Sequence, residues 1–562
     1  MTPSHKPPLR LWPGVAAVIL QWTVWLLVPL VIPGTMIFAV LGGLVGGLLV
    51  LVWWVFFSRA PWLRRLGALA VMAAALAATW QVLDPSVAAG MMGMMFLLYA
   101  TPVMSLALVA GAAAGGRLIT IALAILIGCA GLASIRTEGV TGEGRSQIAL
   151  RWTKTPEQRL LARAGSEPEA APAAAAGTRA AWPGFRGPRR DSIVSGVRIR
   201  TDWASSPPVQ LWRRAVGPGW SSFAIGGGLL YTQEQRGESE VVACYNASTG
   251  KPVWTHRDAA RFWESNAGAG PRATPALGGG RVYALGATGV LNALDAASGA
   301  VIWTRNAARD TGAKVPDWGF AGSPLAFGDA VIVAASGRLA AYDPATGNPR
   351  WLAKDGGAGY SSPHLLTIGG VAQVLLANED GVASVAPADG KVLWKHAYPH
   401  ASILQPALAA DGSVLIAATG PTGGGAGMRR LAVSHGPGGW SAAEVWTTNG
   451  LKPYFNDFVV HKGHAYGFDG PILSCIGLED GKRKWKGGRY GHGQFLLLSD
   501  QDLLLVLSEE GELALVAAAP GAFKEIARFP ALEGKTWNHP ALAGNVLLVR
   551  NGQEMVAFRL AT

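Results

Sequence analysis

The apolar positions of this chain follow two rhythms, one before and one after a polar connection near residues 137–181. Residues 11 to 136 hold hardly any charge, and their apolar runs are long enough to cross a hydrocarbon layer of about 30 Å. Five spans are predicted, at about 11–32, 36–57, 66–83, 91–112 and 118–135. From Trp182 onward the runs shorten, alternate with polar residues and break at Gly, Asn, Asp and Pro, which are strand and turn signals. Between the two regions lie a charged segment with helical periodicity (147–164) and an Ala/Pro/Glu stretch (167–176) that cannot bury a core. The expected domains are therefore a helical membrane region, 1–136, a linker, 137–181, and a strand-rich region, 182–562.

Within the strand-rich region one unit reads Ser222 to Ile225, Leu229 to Gln233, Glu240 to Tyr245 and Pro252 to His256, a meander of four strands, A to D. A glycine turn before strand D supplies a positive φ at no steric cost. A tryptophan four residues after that glycine recurs every fifty residues or roughly less, the mark of stacked supersecondary units. The D-strand aromatics are Trp212, Trp254, Trp303, Trp351, Trp394, Trp446, Trp485 and, by extrapolation, Phe529. Trp212 precedes the first full A strand, and Asn545 to Leu560 supplies strands with no D strand of their own. The strand around Trp212 then closes the last unit. The predicted fold is an all-β eight-bladed propeller of four-stranded antiparallel blades after a bundle of about five transmembrane helices. An open solenoid is the alternative, and it would need caps.

Basic residues orient the spans. Lys6 and Arg10 precede the first, Arg59, Arg64 and Arg65 separate the second and third, and Arg117 separates the fourth and fifth. The alternate loops, around Pro33–Gly34 and Asp84, carry no positive charge. The positive-inside rule puts the N-terminus in the cytoplasm, and an odd number of spans delivers the strand-rich region to the other side. In a bacterium that is the periplasmic face of the inner membrane. The first span is too long for a signal peptide and has no small-residue cleavage site. Gly42, Gly43, Gly46 and Gly47 form a helix-packing surface. No acidic, basic or histidine residue sits deep in a span, so ion transport has no carrier.

The net charge of +12 comes without a long basic run or a nucleic-acid motif, which favours a membrane surface or an anionic ligand over nucleic acid. Cys244 and Cys475 lie in different repeats and are not expected to bridge; Cys129 lies in the fifth span.

Repeats such as Ala-Ser-Thr-Gly-Lys-Pro-Val-Trp (247–254) and Pro-Ala-Thr-Gly-Asn-Pro-Arg-Trp (344–351) resemble the pyrroloquinoline-quinone (PQQ) repeat of the quinoprotein alcohol dehydrogenase-like superfamily. The resemblance covers about 182–562 and implies a propeller. It is also the repeat of non-enzymatic propellers, such as the lipoprotein of the outer-membrane β-barrel assembly machine. Membrane spans before a periplasmic propeller look like the layout of the membrane-bound glucose dehydrogenases, which pass electrons to ubiquinone. The adjacent Cys-Cys pair of the soluble quinoproteins is missing here, as is any Cys-x-x-Cys-His for haem.

Meander geometry sorts candidate residues by face. The D-to-A connections and B-to-C loops emerge on one face, where the starts of the inner A strands ring a central channel. Thr274, Trp318, Ser361, Gln405, Asn456 and Gln494 fall there, as do Trp537 and Asn538. Arg236, Arg272 and Lys535 add cations. Guanidinium forks for carboxylates and indoles for stacking would suit a planar tricarboxylate such as PQQ. The resemblance implies a Ca²⁺ beside it, with Asn456 and Asp457 as candidate ligands and Asp457 as candidate base. Alternatively, these arginines pair with Glu234, Glu238, Glu240, Glu264 and Asp457 and brace loops between blades. His461 and His464 flank an A–B turn on the other face and are not expected to hold a metal. Residues Phe185 to Arg198 either leave the channel open or plug it.

Two functions follow. One is a membrane-anchored periplasmic module that binds a ligand or envelope proteins. The other is a PQQ- and Ca-dependent dehydrogenase that oxidises an alcohol or sugar and passes electrons to ubiquinone in the bilayer.

Overall fold

The computed structural model describes residues 9–32, 34–163, 180–353, 355–420 and 423–562, in two compact units. The first comprises Met1–Thr153 with Glu264–Gly268, the second Lys154–Trp263 with Ala269–Thr562. Lys6, Pro33 and the stretch 167–176 lie outside the described residues.

Among the described residues of the first unit, four helices are long and apolar enough to cross a membrane: Trp12–Val31, Met36–Phe57, Trp62–Val82 and Met95–Ala113. The fifth predicted span is the shorter apolar helix Leu118–Ala133. Its 16 residues rise about 24 Å at 1.5 Å each, a little under the thickness of a hydrocarbon core. The glycine pairs pack as their spacing predicts. A Cβ on Gly46 would lie 2.6 Å from Gln21, and one on Gly43 would lie 3.1 Å from Trp25. The buried Gln21 amide uses that close approach, donating from Nε2 to Gly43 O at 2.7 Å. An antiparallel hairpin, Ile135–Val140 with Ser146–Leu150, ends the unit inside what the sequence marks as linker.

The second unit is an eight-bladed propeller of four-stranded antiparallel sheets. The inner strands of blades one to eight are Ala224–Gly226, Ala276–Gly278, Leu325–Phe327, His364–Ile368, Ala407–Leu408, Val459–His461, Gln494–Leu498 and Ala541–Ala543. The eighth blade takes its outer strand from the N-terminal side: Val209–Ala215 pairs with Glu554–Arg559, with Trp212 opposite Ala557. The predicted closure by a strand around Trp212 is what the register shows.

The repeated Gly-x-x-x-Trp works between blades. A Cβ on Gly250, Gly299, Gly347 or Gly390 would lie 2.7, 2.5, 2.6 or 2.5 Å from the indole of Trp212, Trp254, Trp303 or Trp351, the tryptophan of the preceding blade. Each indole N–H donates to a carbonyl in the same C–D turn: Ala247 at 2.9 Å, Ala296 at 3.1 Å, Pro344 at 2.9 Å and Pro387 at 3.0 Å. The glycines have φ of 68°, 73°, 71° and 71°, so two constraints, backbone hand and ring contact, select the same residue. Blade five replaces its glycine turn with a long hairpin, Gly425–Gly436 and Gly439–Thr448. Trp394 therefore turns its N–H to Gln373 Oε1 within its own blade, at 2.8 Å. Phe529 packs edge-on to Phe558 at 5.5 Å, with no donor to place.

Candidate functional site

The inner strands are tied together by a belt of polar groups two or three residues ahead of their first positions or, for Gln494, at it. Ser222 N donates to Thr274 Oγ1, Thr274 N to Ser323 Oγ, and Ser323 N to Ser362 Oγ, each at 2.9 Å. Ser361 Oγ donates to Leu404 O at 3.1 Å, and Gln405 Nε2 to Ser362 O at 3.4 Å. Asp457 N donates to Gln494 Oε1 at 3.3 Å, while Gln494 Nε2 reaches Phe455 O at 3.1 Å. Asn538 Nδ2 donates to Ser221 O at 2.7 Å and Ser222 Oγ to His539 O at 2.5 Å, joining blade eight to blade one. Five candidate residues, Thr274, Ser361, Gln405, Gln494 and Asn538, thus spend hydrogen bonds on holding neighbouring blades. A signal for this existed: Thr274, Ser323, Ser362, Gln405 and His539 each precede a proline, which keeps the preceding residue extended.

The channel inside the belt is filled by the segment that the sequence left open. Trp182 bridges Ile225 of blade one, and Pro183 O accepts from Leu277 N of blade two. Arg190 donates to Pro324 O at 2.8 Å and Ser323 O at 3.0 Å in blade three, and Arg189 O faces His364 of blade four. Ile193–Val194 then adds a parallel fifth strand to the inner edge of blade seven, opposite Leu497 and Leu498. The segment enters antiparallel to one inner strand and leaves parallel to another, so both its ends lie on the A–B-turn face and its tip lies deep. The channel is plugged from the face opposite the candidate mouth.

Asp457 lies at that tip. Its Oδ1 is 3.3 Å from Arg186 Nη1, and Arg186 Nη2 donates to Phe458 O at 2.8 Å. Arg186 Nε donates to Ser192 Oγ at 2.7 Å, and Ser192 Oγ lies 2.9 Å from His539 Nε2. Burial and Arg186 push His539 down to about 3, so the ring is neutral. Its Nδ1–H donates to Pro540 O at 2.9 Å, which leaves Nε2 to accept from Ser192. This is not a catalytic triad: Asp457 Oδ2, at 3.9 Å, faces the same nitrogen as the serine. Burial raises the Asp457 carboxyl, and Arg186 works against that.

Aromatic rings form a chain at the mouth on the D–A face. Trp220 lies 4.9 Å from Trp537, Trp537 4.8 Å from Phe455, and Phe455 5.1 Å from Tyr454. Tyr454 reaches Trp318 at 6.4 Å, and Trp318 reaches Tyr360 at 4.9 Å. Lys535 Nζ sits over Trp537 at 4.4 Å and over Trp220 at 5.2 Å. Arg272 lies over Phe262 at 4.8 Å and donates to Trp318 O at 3.1 Å. All the rings of the chain are partly exposed. Arg236 lies apart from them, paired with Glu234 Oε1 at 2.6 Å and with the Tyr245 hydroxyl at 2.9 Å. Burial alone would raise Glu234, but Arg236 and then Arg550 hold it below the usual carboxylate range.

With Arg186 occupying the oxygens beside Asp457, the site does not fit a calcium ion, which takes about six to eight oxygen ligands. The Asp457 carboxylate faces a guanidinium. Asn456 Oδ1 already accepts from Tyr454 N at 3.0 Å, and its buried atom without a partner is Nδ2, a donor that cannot ligate a cation. Among the described residues no cluster of three or more His, Cys, Asp or Glu is placed to hold a metal. His461 bonds to Asp502 at 2.6 Å, whereas His464 turns to Lys462 O, so these two histidines share no centre. The three cysteines are free and buried.

Fold and site together define a closed, plugged eight-bladed propeller with an aromatic mouth, carried on a chain with apolar N-terminal helices. The family model described as outer membrane protein assembly factor BamB, a PQQ-repeat model, matches residues 208–362 and 256–487. The propeller of this chain belongs to the PQQ-repeat β-propeller family. Among solved structures, the quinohemoprotein alcohol dehydrogenase of Comamonas testosteroni is similar at 13% identity, over 72% of this chain and 84% of that one, with a TM-score of 0.48. BamB of Moraxella catarrhalis is similar at 15% identity, over 62% and 85%, with a TM-score of 0.34. A europium-containing methanol dehydrogenase is similar at 12% identity, over 67% and 98%, with a TM-score of 0.42. The search of curated proteins returned no match.

Proposed function

We propose that this chain is a membrane-anchored binding module of the cell envelope, which takes its ligand or protein partner at the aromatic mouth of the propeller. The observation that carries this reading is the run of partly exposed rings from Trp220 to Tyr360, with Lys535 on two of their faces. Rings held by a rigid scaffold bury much area at little entropic cost. Behind them the channel is filled, so the mouth is a surface for docking and not an entrance. The matched family model bears the description of an outer-membrane protein assembly factor, and an extended, aromatic-rich segment of an envelope protein suits such a surface. In this reading the helices span a bacterial inner membrane, the N-terminus is cytoplasmic and the propeller is periplasmic.

A PQQ-dependent dehydrogenase passing electrons to ubiquinone is the second reading, favoured by the cations Lys535 and Arg272 beside flat rings. The donor set around Asp457 counts against its calcium.

The test uses the full-length protein in detergent. Aromatic-rich strand peptides of outer-membrane type are titrated against tryptophan fluorescence, in parallel with PQQ plus Ca²⁺ and a dye-linked oxidation assay. Peptide binding weakened at least tenfold in Trp537→Ala and Lys535→Ala is expected. Peptide binding that ignores both substitutions would move the site elsewhere, and PQQ-dependent dye reduction would decide for the dehydrogenase.

A further inference from the structure

We infer that Arg186 is the resident cation of the propeller channel: the chain's own guanidinium fills a nest of oxygen acceptors of the kind that takes a hard divalent metal. The nest has one carboxylate, two backbone carbonyls and one hydroxyl. Arg186 Nη1 lies 3.3 Å from Asp457 Oδ1, and Nη2 donates to Phe458 O at 2.8 Å and Asp191 O at 3.3 Å. Nε donates to Ser192 Oγ at 2.7 Å. Carboxylate, carbonyl and hydroxyl oxygens are what calcium collects. They are also what the planar fork of five N–H donors can address at once. Asp191 and Ser192 belong to the plug, and Asp457 and Phe458 to blade six. The cation is therefore the joint between plug and ring.

The surroundings make this cation necessary. Arg186 is 2% exposed, and Asp457 3%. A buried carboxylate left without a counter-charge is strongly destabilising. His539, 3.9 Å from the other Asp457 oxygen, engages Pro540 O through Nδ1 and Ser192 Oγ through Nε2, so neither ring nitrogen is given to Asp457. Arg190 is committed to the carbonyls of Ser323 and Pro324 in another blade. The plug backbone is bent to deliver the group. Arg186, Arg190 and Ser192 adopt left-handed φ of 62°, 56° and 62°, positions that a non-glycine residue holds only where its surroundings fix it. While Arg186 is in place no metal enters the nest, and Asp457 is open neither to a metal nor to a substrate proton. This holds whatever binds at the mouth.

The experiment is thermal unfolding of the full-length protein in detergent, in EDTA and in millimolar Ca²⁺, with terbium luminescence as a direct probe of the nest. The wild type should melt at the same temperature in both solutions and give no saturable terbium signal. Arg186→Gln should melt several degrees lower in EDTA, recover part of the loss in Ca²⁺, and bind terbium saturably. R186Q/D457N should be indifferent to metal and melt above R186Q in EDTA, because it strands no charge. Arg186→Lys should stay insensitive to metal. A Ca²⁺-dependent melting temperature in the wild type, or an R186Q protein as stable as the wild type without metal, would overturn the assignment. If R186Q does not accumulate, Asp457→Asn decides: stranding the Arg186 charge should lower the melting temperature, and a wild-type value would refute the pairing.

Discussion

At the scale of single residues, the glycine before each D strand shows how one position answers two demands. Gly299 has φ 73°, and a Cβ there would also lie 2.5 Å from the Trp254 ring of the neighbouring blade. Gly299→Ala must take a left-handed conformation costing about 1 kcal/mol or more, and must push a buried indole aside at a further ~1–3 kcal/mol. Trp254→Ala leaves a cavity at the same interface and should cost about 3–5 kcal/mol. Chemical denaturation of the full-length chain should show both as a lower midpoint. Because the two sites touch, G299A/W254A should lose less than the sum of the single losses. Strict additivity would mean that the glycine serves only its own turn. The sequence offered the Gly–Trp spacing within a repeat, and the contact runs between repeats; nothing in one dimension distinguishes the two.

The plug is the element on which the channel depends, and its chemistry makes stability depend on pH. His539 and His364 are buried around it, and burial together with Arg186 holds them at about 3 and about 4. Both are neutral when folded, yet in the unfolded chain they bind protons below about 6.5. The stabilisation is complete above that value and is lost progressively as pH falls toward the folded values. Glu240 works the other way: burial raises it to about 7, so it carries its proton in the folded state and favours folding at lower pH. The Asp457 carboxyl, raised by burial against Arg186, acts in the same sense as Glu240, and the two histidines oppose both. His539→Asn removes one histidine's share, so its melting temperature at pH 5 relative to pH 7 should be higher than that of the wild type; no difference would place the proton-linked groups elsewhere. Arginines at 186, 189 and 190 were visible in the sequence, but not their destination. Phe185 to Arg198 makes its contacts with blades that lie up to about 350 residues away along the chain, and only closure of the ring creates the cavity that receives it.

For the whole molecule, the ring is a statement about its two ends. Val209 pairs with Arg559, and both side chains are exposed. Directly opposed residues of an antiparallel pair stand at a separation that a disulfide can span. Oxidised V209C/R559C would tie a loop of about 350 residues and should raise stability by roughly 2–4 kcal/mol, read as a higher melting temperature that reductant abolishes. No gain on verified oxidation would mean that the ring opens elsewhere first.

The sequence by itself determined the architecture. Charge-free runs and a glycine–tryptophan period are local, repeated signals, so helices, blade number and the borrowed closing strand were all legible. It also named the residues at the inner strand starts, because meander geometry assigns each connection to a face. Only the tertiary structure decided what those residues do. Thr274, Ser361, Gln405, Gln494 and Asn538 hydrogen-bond across blades, Arg236 pairs with Glu234, and Asp457 faces Arg186. Whether a polar side chain serves a ligand or its neighbours depends on which acceptor stands within about 3 Å, and in a closed ring that acceptor comes from a different blade or from the plug.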